Sequence, residues 1–111
     1  MSARRIHIAL AVRDIDAAVR DYSARLGAQP CCVVEGIYAL WRTDQVNLSI
    51  SVMPEVAGTL RHLGFEDPES PIMSVETDAN GIEWERFTEE QQMAEIRQRW
   101  PHATFRTSGR K

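Results

Sequence analysis

The chain opens on an alternation. Ile6, Ile8, Leu10 and Val12 fall at every second position, which predicts a β-strand with one continuous apolar face. A face of β-branched residues and leucine suits burial beneath a helix. The other face carries His7, Ala9 and Ala11, an imidazole with room beside it. Asp14 then ends the strand and is placed to cap a helix. Ile15, Ala18, Val19, Tyr22 and Leu26 follow at helical spacing, so that helix is the natural cover for the apolar face of the strand. Gly27 stops it by taking the left-handed conformation.

Three strands are predicted next. Residues 31–34 form a short one, with a turn at Glu35-Gly36. Residues 37–42 form another, with Ile37, Ala39 and Trp41 on one face and Tyr38 and Leu40 on the other. Val46 to Val52 alternates strictly, Val46, Leu48, Ile50 and Val52 against Asn47, Ser49 and Ser51, the clearest strand signal in the chain. A linker containing Pro54 leads to Leu60–Glu66, which repeats the opening design. Leu63 and Phe65 share one face, and His62, Gly64 and Glu66 the other. In both strands a histidine is followed two residues later by a very small residue. The echo suggests internal duplication and two histidines converging on one cavity.

Asp67 to Pro71 carries two prolines and reads as a loop. Strands over 73–77 and 82–87 flank Asp78-Ala79-Asn80-Gly81, where the Asn-Gly pair predicts a hairpin. Thr88, with Gln91 three residues on, forms a capping box at the start of the last helix. Met93, Ile96 and Trp100 give that helix its apolar stripe, and Pro101 stops it. Beyond His102 the chain reads as a polar tail, with Phe105 as its anchor. The sum is an α+β fold: a βαβββ module with a curled mixed sheet, a partial second module and a C-terminal helix.

Size and charge narrow the function. At 111 residues the expectation is one domain spanning residues 1–111, with its core over about 5–100. The net charge of −3 argues against nucleic acid as a partner. Basic residues cluster at both ends (Arg4 and Arg5; Arg106, Arg110 and Lys111) and read as loose termini. No apolar run has the length of a membrane span, and the short run after Arg5 lacks a cleavage pattern, so the expected location is cytoplasmic. Cys31 and Cys32 are adjacent, and reduced thiols are the expectation. Only one of them can face the cup of the sheet.

Taken together, His7 to Val12 followed by Asp14, the helix ending at Leu26-Gly27, the strands at 38–41 and 46–52, and His62-Leu63-Gly64-Phe65-Glu66 resemble the vicinal oxygen chelate superfamily. That superfamily holds glyoxalase I, bleomycin-resistance proteins and extradiol dioxygenases. Asp78 to Glu85 resembles its last-strand signature, an Asp-x-x-Gly turn followed by a metal-binding glutamate. The resemblance covers most of residues 5–88. It implies a cup of βαβββ modules, often completed by dimerisation. The chain departs from the pattern between Glu66 and Met73, where a helix and a strand are missing. The second module should therefore keep about three strands, and the C-terminal helix is expected to cover the sheet where the missing helix would pack.

The resemblance implies His7, His62 and Glu85 as metal ligands. Two imidazoles and a carboxylate leave coordination positions open and suit Fe, Mn, Ni or Zn as the divalent ion. The alternative for these residues is two partly buried core histidines and a glutamate paired with an arginine. Asn47 and Ser49 on the cup face, and Trp41 as a stacking surface, are the candidate substrate contacts. Glyoxalase-type chemistry uses a further carboxylate on the fourth strand, where this chain has Asn47, Ser49 and Ser51. Glu66 and Glu83 could substitute. The function expected is that of a small metal-binding member of the superfamily, a homodimer, taking a small polar ligand, with lyase or dioxygenase chemistry as the activities implied. The alternative is a metal-free small-molecule-binding module of the resistance type.

Overall fold

The computed structural model describes residues 4–106; Arg110 and Lys111 lie outside the described residues. Eight strands form one mixed sheet that curls without closing. They are β1 (Arg5–Val12), β2 (Cys32–Val34), β3 (Tyr38–Arg42), β4 (Val46–Val52), β5 (Leu60–Glu66), β6 (Ser74–Thr77), β7 (Glu83–Phe87) and β8 (Thr104–Phe105). Two helices, α1 (Ile15–Leu26) and α2 (Glu89–Arg99), pack on them. The strand order is β6-β7-β5-β1-β4-β3-β2-β8.

β1 sits at the centre of this order. It runs parallel to β4 on one side and antiparallel to β5 on the other. β5 in turn runs parallel to β7, so the β1–β4 arrangement recurs as β5–β7. The second half holds three strands, β5 to β7, with a loop over residues 67–73 between β5 and β6. The local signals that predicted the elements are visible in their ends. Asp14 accepts from the Ala17 amide at 3.1 Å, and Gly27 closes α1 at φ 66°. Thr88 and Gln91 exchange both hydrogen bonds of a capping box. The Asp78 carboxylate accepts from the Asn80 and Ile82 amides across the β6–β7 turn, and from the Trp84 indole at 2.8 Å.

Two apolar clusters sit on opposite faces. On the convex face α1 covers β1, β3 and β4, burying Ile15, Ala39, Trp41, Leu48 and Ile50. On the concave face α2 sets Ile96, Met93 and Trp100 against Cys32, Val34, Tyr38 and Leu40, with Phe105 at the margin. This corrects the expected place of the last helix. It lies inside the curl of the first half, and does not stand in for a helix behind the second. The register explains why: Tyr38 pairs with Ser51 and Leu40 with Ser49, so the apolar partners for α2 are on the face that also carries the serines. Behind the second half, Phe65 stacks on Trp84 at 5.9 Å. The guanidiniums of Arg4 and Arg86 lie 5.0 and 5.2 Å from the Phe65 ring centre, within cation–π range.

Candidate metal centre

The pairing of β1 with β5 brings the two histidines together. His7 lies opposite Gly64 and Ala9 opposite His62, so the imidazoles are diagonal neighbours on the concave face. Their ring centres are 5.0 Å apart. Glu85 enters from the next strand, where it pairs with Gly64. The row across the sheet is therefore Asn47, His7, Gly64, Glu85. A Cβ on Gly64 would meet the Glu85 backbone, standing 2.8 Å from its amide nitrogen and closer still to its carbonyl oxygen. Only glycine lets the β7 backbone come this close to β5 at the point where Glu85 pairs with Gly64. The small residue opposite His7 is thus a place of close backbone approach.

His7 Nε2 lies 3.1 Å from His62 Nε2 and 3.8 Å from Glu85 Oε1, and His62 Nε2 lies 3.3 Å from the same oxygen. Ligands about 2.1 Å from an ion stand about 3.0 Å apart at right angles and about 3.4 Å apart at tetrahedral angles. The 3.1 and 3.3 Å separations match adjacent ligands, the 3.8 Å separation is wider, and the group could hold a metal ion. Their charge states suit it as well. Burial, with His62 alongside, holds the His7 pKa below its ordinary value, outweighing the hydrogen bond to Asn47 and the charge of Glu85. Burial works to raise the Glu85 pKa, but the hydrogen bond from His62 and the charges of His62, His7 and Arg61 bring it below the ordinary carboxylate value. A neutral imidazole and an ionised carboxylate are the forms that ligate. Phe87 packs edge-on against the His7 ring at 5.0 Å and closes the floor.

The triad faces a cavity of about 180 Å³ bounded by β3, β4, β5, β7 and α2. Ser49 lines it, as do Tyr38, Ser51 and Arg61. Asn47 does not reach it. It is fully buried and spends its amide on His7, Glu66 and Gln92. Trp41 is corrected outright. It is 0 % exposed on the convex face, where its indole donates to Ser23 Oγ and the Ala28 carbonyl, both at 3.2 Å, so no ligand in the cup can stack on it. Glu66 is neither solvated nor free to act as a base. It is 3 % exposed and held by Arg5 and Arg42. Glu83 is exposed at the cavity rim. Cys31 and Cys32 are free thiols outside the triad's cavity; burial pushes the Cys32 thiol up to about 12.

Gln92 was not singled out from the sequence. It is 5 % exposed, on the face of α2 that turns toward the sheet, and pairs with Asn47. Its one sequence signal is its position four residues before Ile96, on the buried stripe.

Fold and site together define an α+β protein with a curled open sheet and a His-His-Glu group able to hold a metal ion. No family model matches the chain, and no curated protein matches it. Among solved structures, the crystal structure of an NAD-dependent benzaldehyde dehydrogenase from Legionella pneumophila is similar, with a TM-score of 0.51 at 12 % identity, over 75 % of this chain and 97 % of that one. At that identity the likeness is one of fold.

Proposed function

We propose that the chain is a small protein of the vicinal oxygen chelate type, which binds a divalent ion through His7, His62 and Glu85 and presents it to a small polar ligand in the adjoining cavity. The observation that carries this is the convergence of two Nε2 atoms and one carboxylate oxygen from three strands, all within 4.8 Å of one another. The recurrence of the β1–β4 pairing in β5–β7 supports it independently. Two neutral nitrogens and one anionic oxygen suit Fe(II), Mn(II), Ni(II) or Zn(II) with further positions free. When bound, such an ion would polarise an oxygen ligand, the chemistry a lyase or a dioxygenase needs.

The chain's own residues divide the remaining work. Burial holds the Tyr38 pKa above its ordinary value, so its hydroxyl is a neutral hydrogen-bonding group on the cavity wall. Ser49 and Ser51 add hydroxyls that bind and orient a polar ligand, and Arg61 brings a positive charge to the mouth. We also propose a homodimer. β6 is an exposed edge strand carrying Val75, and Ile72 just before it is 67 % exposed; a symmetric partner covers such an edge. Light scattering at micromolar concentration should give twice the chain mass, and the monomer mass would remove the dimer.

The deciding experiment is metal content and titration with Zn(II), Mn(II) and Ni(II). Wild type should take one ion per chain. His62→Ala and Glu85→Gln should lose affinity by more than the roughly 10–100-fold typical of changes behind the ligands. Glu83→Gln should stay near wild type, since that side chain lies at the rim. A wild-type chain that binds none of these ions removes the metal and leaves the metal-free binding module as the reading.

A further inference from the structure

Behind His7 lies a chain of hydrogen-bonded polar groups, with Asn47, Glu66 and Gln92 buried. His7 Nδ1 is 2.8 Å from Asn47 Oδ1 and 3.1 Å from the Asn47 backbone carbonyl. Asn47 Nδ2 donates to Glu66 Oε1 at 2.9 Å and to Gln92 Oε1 at 2.8 Å. Gln92 Nε2 returns a bond to Asn47 Oδ1 at 3.2 Å. Glu66 ends the chain between two guanidiniums. Arg42 grips it with Nε on Oε1 at 2.9 Å and Nη2 on Oε2 at 2.7 Å, and Arg5 adds Nη1 on Oε2 at 2.8 Å.

The direction of every bond follows from the Glu66 end. An ionised carboxylate accepts and cannot donate. Asn47 must therefore turn its NH2 toward Glu66 and its oxygen toward His7. Two acceptors cannot face each other at 2.8 Å, so the His7 nitrogen beside that oxygen must donate, and His7 carries its proton on Nδ1. Its Nε2, the atom facing His62 and Glu85, is left with a free lone pair. The Asn47–Gln92 pair alone imposes no direction, because two amides can exchange donor and acceptor together and remain satisfied. The backbone carbonyl of Asn47 favours the same tautomer, but at the longer distance.

We propose that Glu66 is a positioning residue which, acting through Asn47, sets the Nδ1–H tautomer of His7 and so aims its Nε2 lone pair into the site. The use of that lone pair for a metal rests on the function proposed above; the tautomer does not. Glu66→Gln tests it sharply. Arg42 and Arg5 together place two donors on Oε2 and Arg42 places one on Oε1. The new NH2 meets fewer opposing donors at the Oε1 position, which is the one facing Asn47. Asn47 then gains by reversing, Gln92 can follow, and an N–H is offered to His7 Nδ1.

Long-range proton–nitrogen NMR of the metal-free protein near pH 8, where an ordinary imidazole is neutral (pKa about 6.5), reads the tautomer directly. Wild-type His7 should show a protonated Nδ1 and a bare Nε2. Glu66→Gln should bring up the Nε2–H form and weaken zinc binding about 10–100-fold, the usual cost of losing an outer partner of a ligand histidine. Trp41→Phe, which loses stability on the far face of the sheet, should change neither. If the single variant does not fold, the wild-type tautomer itself still decides the proposal, because Glu66 and Asn47 require the Nδ1–H form. An Nε2–H wild type, or a Glu66→Gln protein with wild-type tautomer and zinc affinity, overturns the proposal. So does a Trp41→Phe protein that shifts both readouts as Glu66→Gln does. Tautomers that follow the proposal in a protein binding no zinc would uphold the role of Glu66 and sink the metal site instead.

Discussion

Gly64→Ala tests how the site is built, because two opposing effects have known sizes. Alanine restricts the unfolded chain, which by itself stabilises by about 0.4–1 kcal/mol. Against this, the added Cβ would stand 2.8 Å from the amide nitrogen of Glu85 and closer to its carbonyl oxygen. Comfortable contact needs about 3.5 Å, so β7 must retreat by about 0.7 Å or more. The obstacle is backbone in a paired strand, and no rotamer can relieve it. Overpacking of this kind costs about 1–3 kcal/mol, so the net loss lies between about 0 and 2.6 kcal/mol, in the upper half of that range because the obstacle is backbone. For a chain of this length that is a fall of about 4–10 °C in Tm. The same retreat draws the Glu85 carboxylate away from two histidines that it now meets at 3.3 and 3.8 Å, so metal affinity should fall together with stability. Urea unfolding followed by Trp fluorescence gives the first quantity, and zinc titration of the folded variant gives the second. A Gly64→Ala protein as stable as wild type, with unchanged zinc affinity, would refute this close approach of β7 to β5.

Other consequences concern stability. Ile96→Ala should cost about 2–5 kcal/mol, because Ile96 is 4 % exposed and joins α2 to the concave cluster; an unchanged urea midpoint would show α2 to be undocked. Trp41→Phe removes an indole bonded to Ser23 and Ala28 and should cost about 0.5–1.5 kcal/mol by thermal unfolding. Burial works to raise the Glu66 pKa, but hydrogen bonds from Arg42 and Asn47 and the charges of Arg42 and Arg5 set it below 4.5. A depressed carboxylate stabilises above its unfolded pKa and loses that contribution as pH falls through the folded value. The stability gap between wild type and Glu66→Gln should therefore be level from pH 7 to about 5 and shrink below about 4.5. A gap that widens in acid, measured by urea midpoints, contradicts the ion cluster.

What could be read from the sequence was whatever a few neighbouring residues decide. The alternation of β4, the stripe and caps of α1, the Thr88–Gln91 box and the turn at Gly81 are short-range effects, and each is present. His7 and His62 stood out because each occupies a strand of similar design, whereas Glu85 was singled out only through the spacing from Gly81 that the family resemblance implies. Faces were harder. In β3, Leu40 and Trp41 are both fully buried, so alternation there carries no polarity. Only the pairing of Trp41 with Leu48 and of Leu40 with Ser49 assigns one to α1 and the other to the cup. The tertiary structure alone brings Arg5, Arg42, Asn47, Glu66 and Gln92 together, from four strands and a helix. Each is unremarkable in its own stretch of chain. Their meaning comes from long-range register, which sets a buried carboxylate between two guanidiniums and points the asparagine between them and His7.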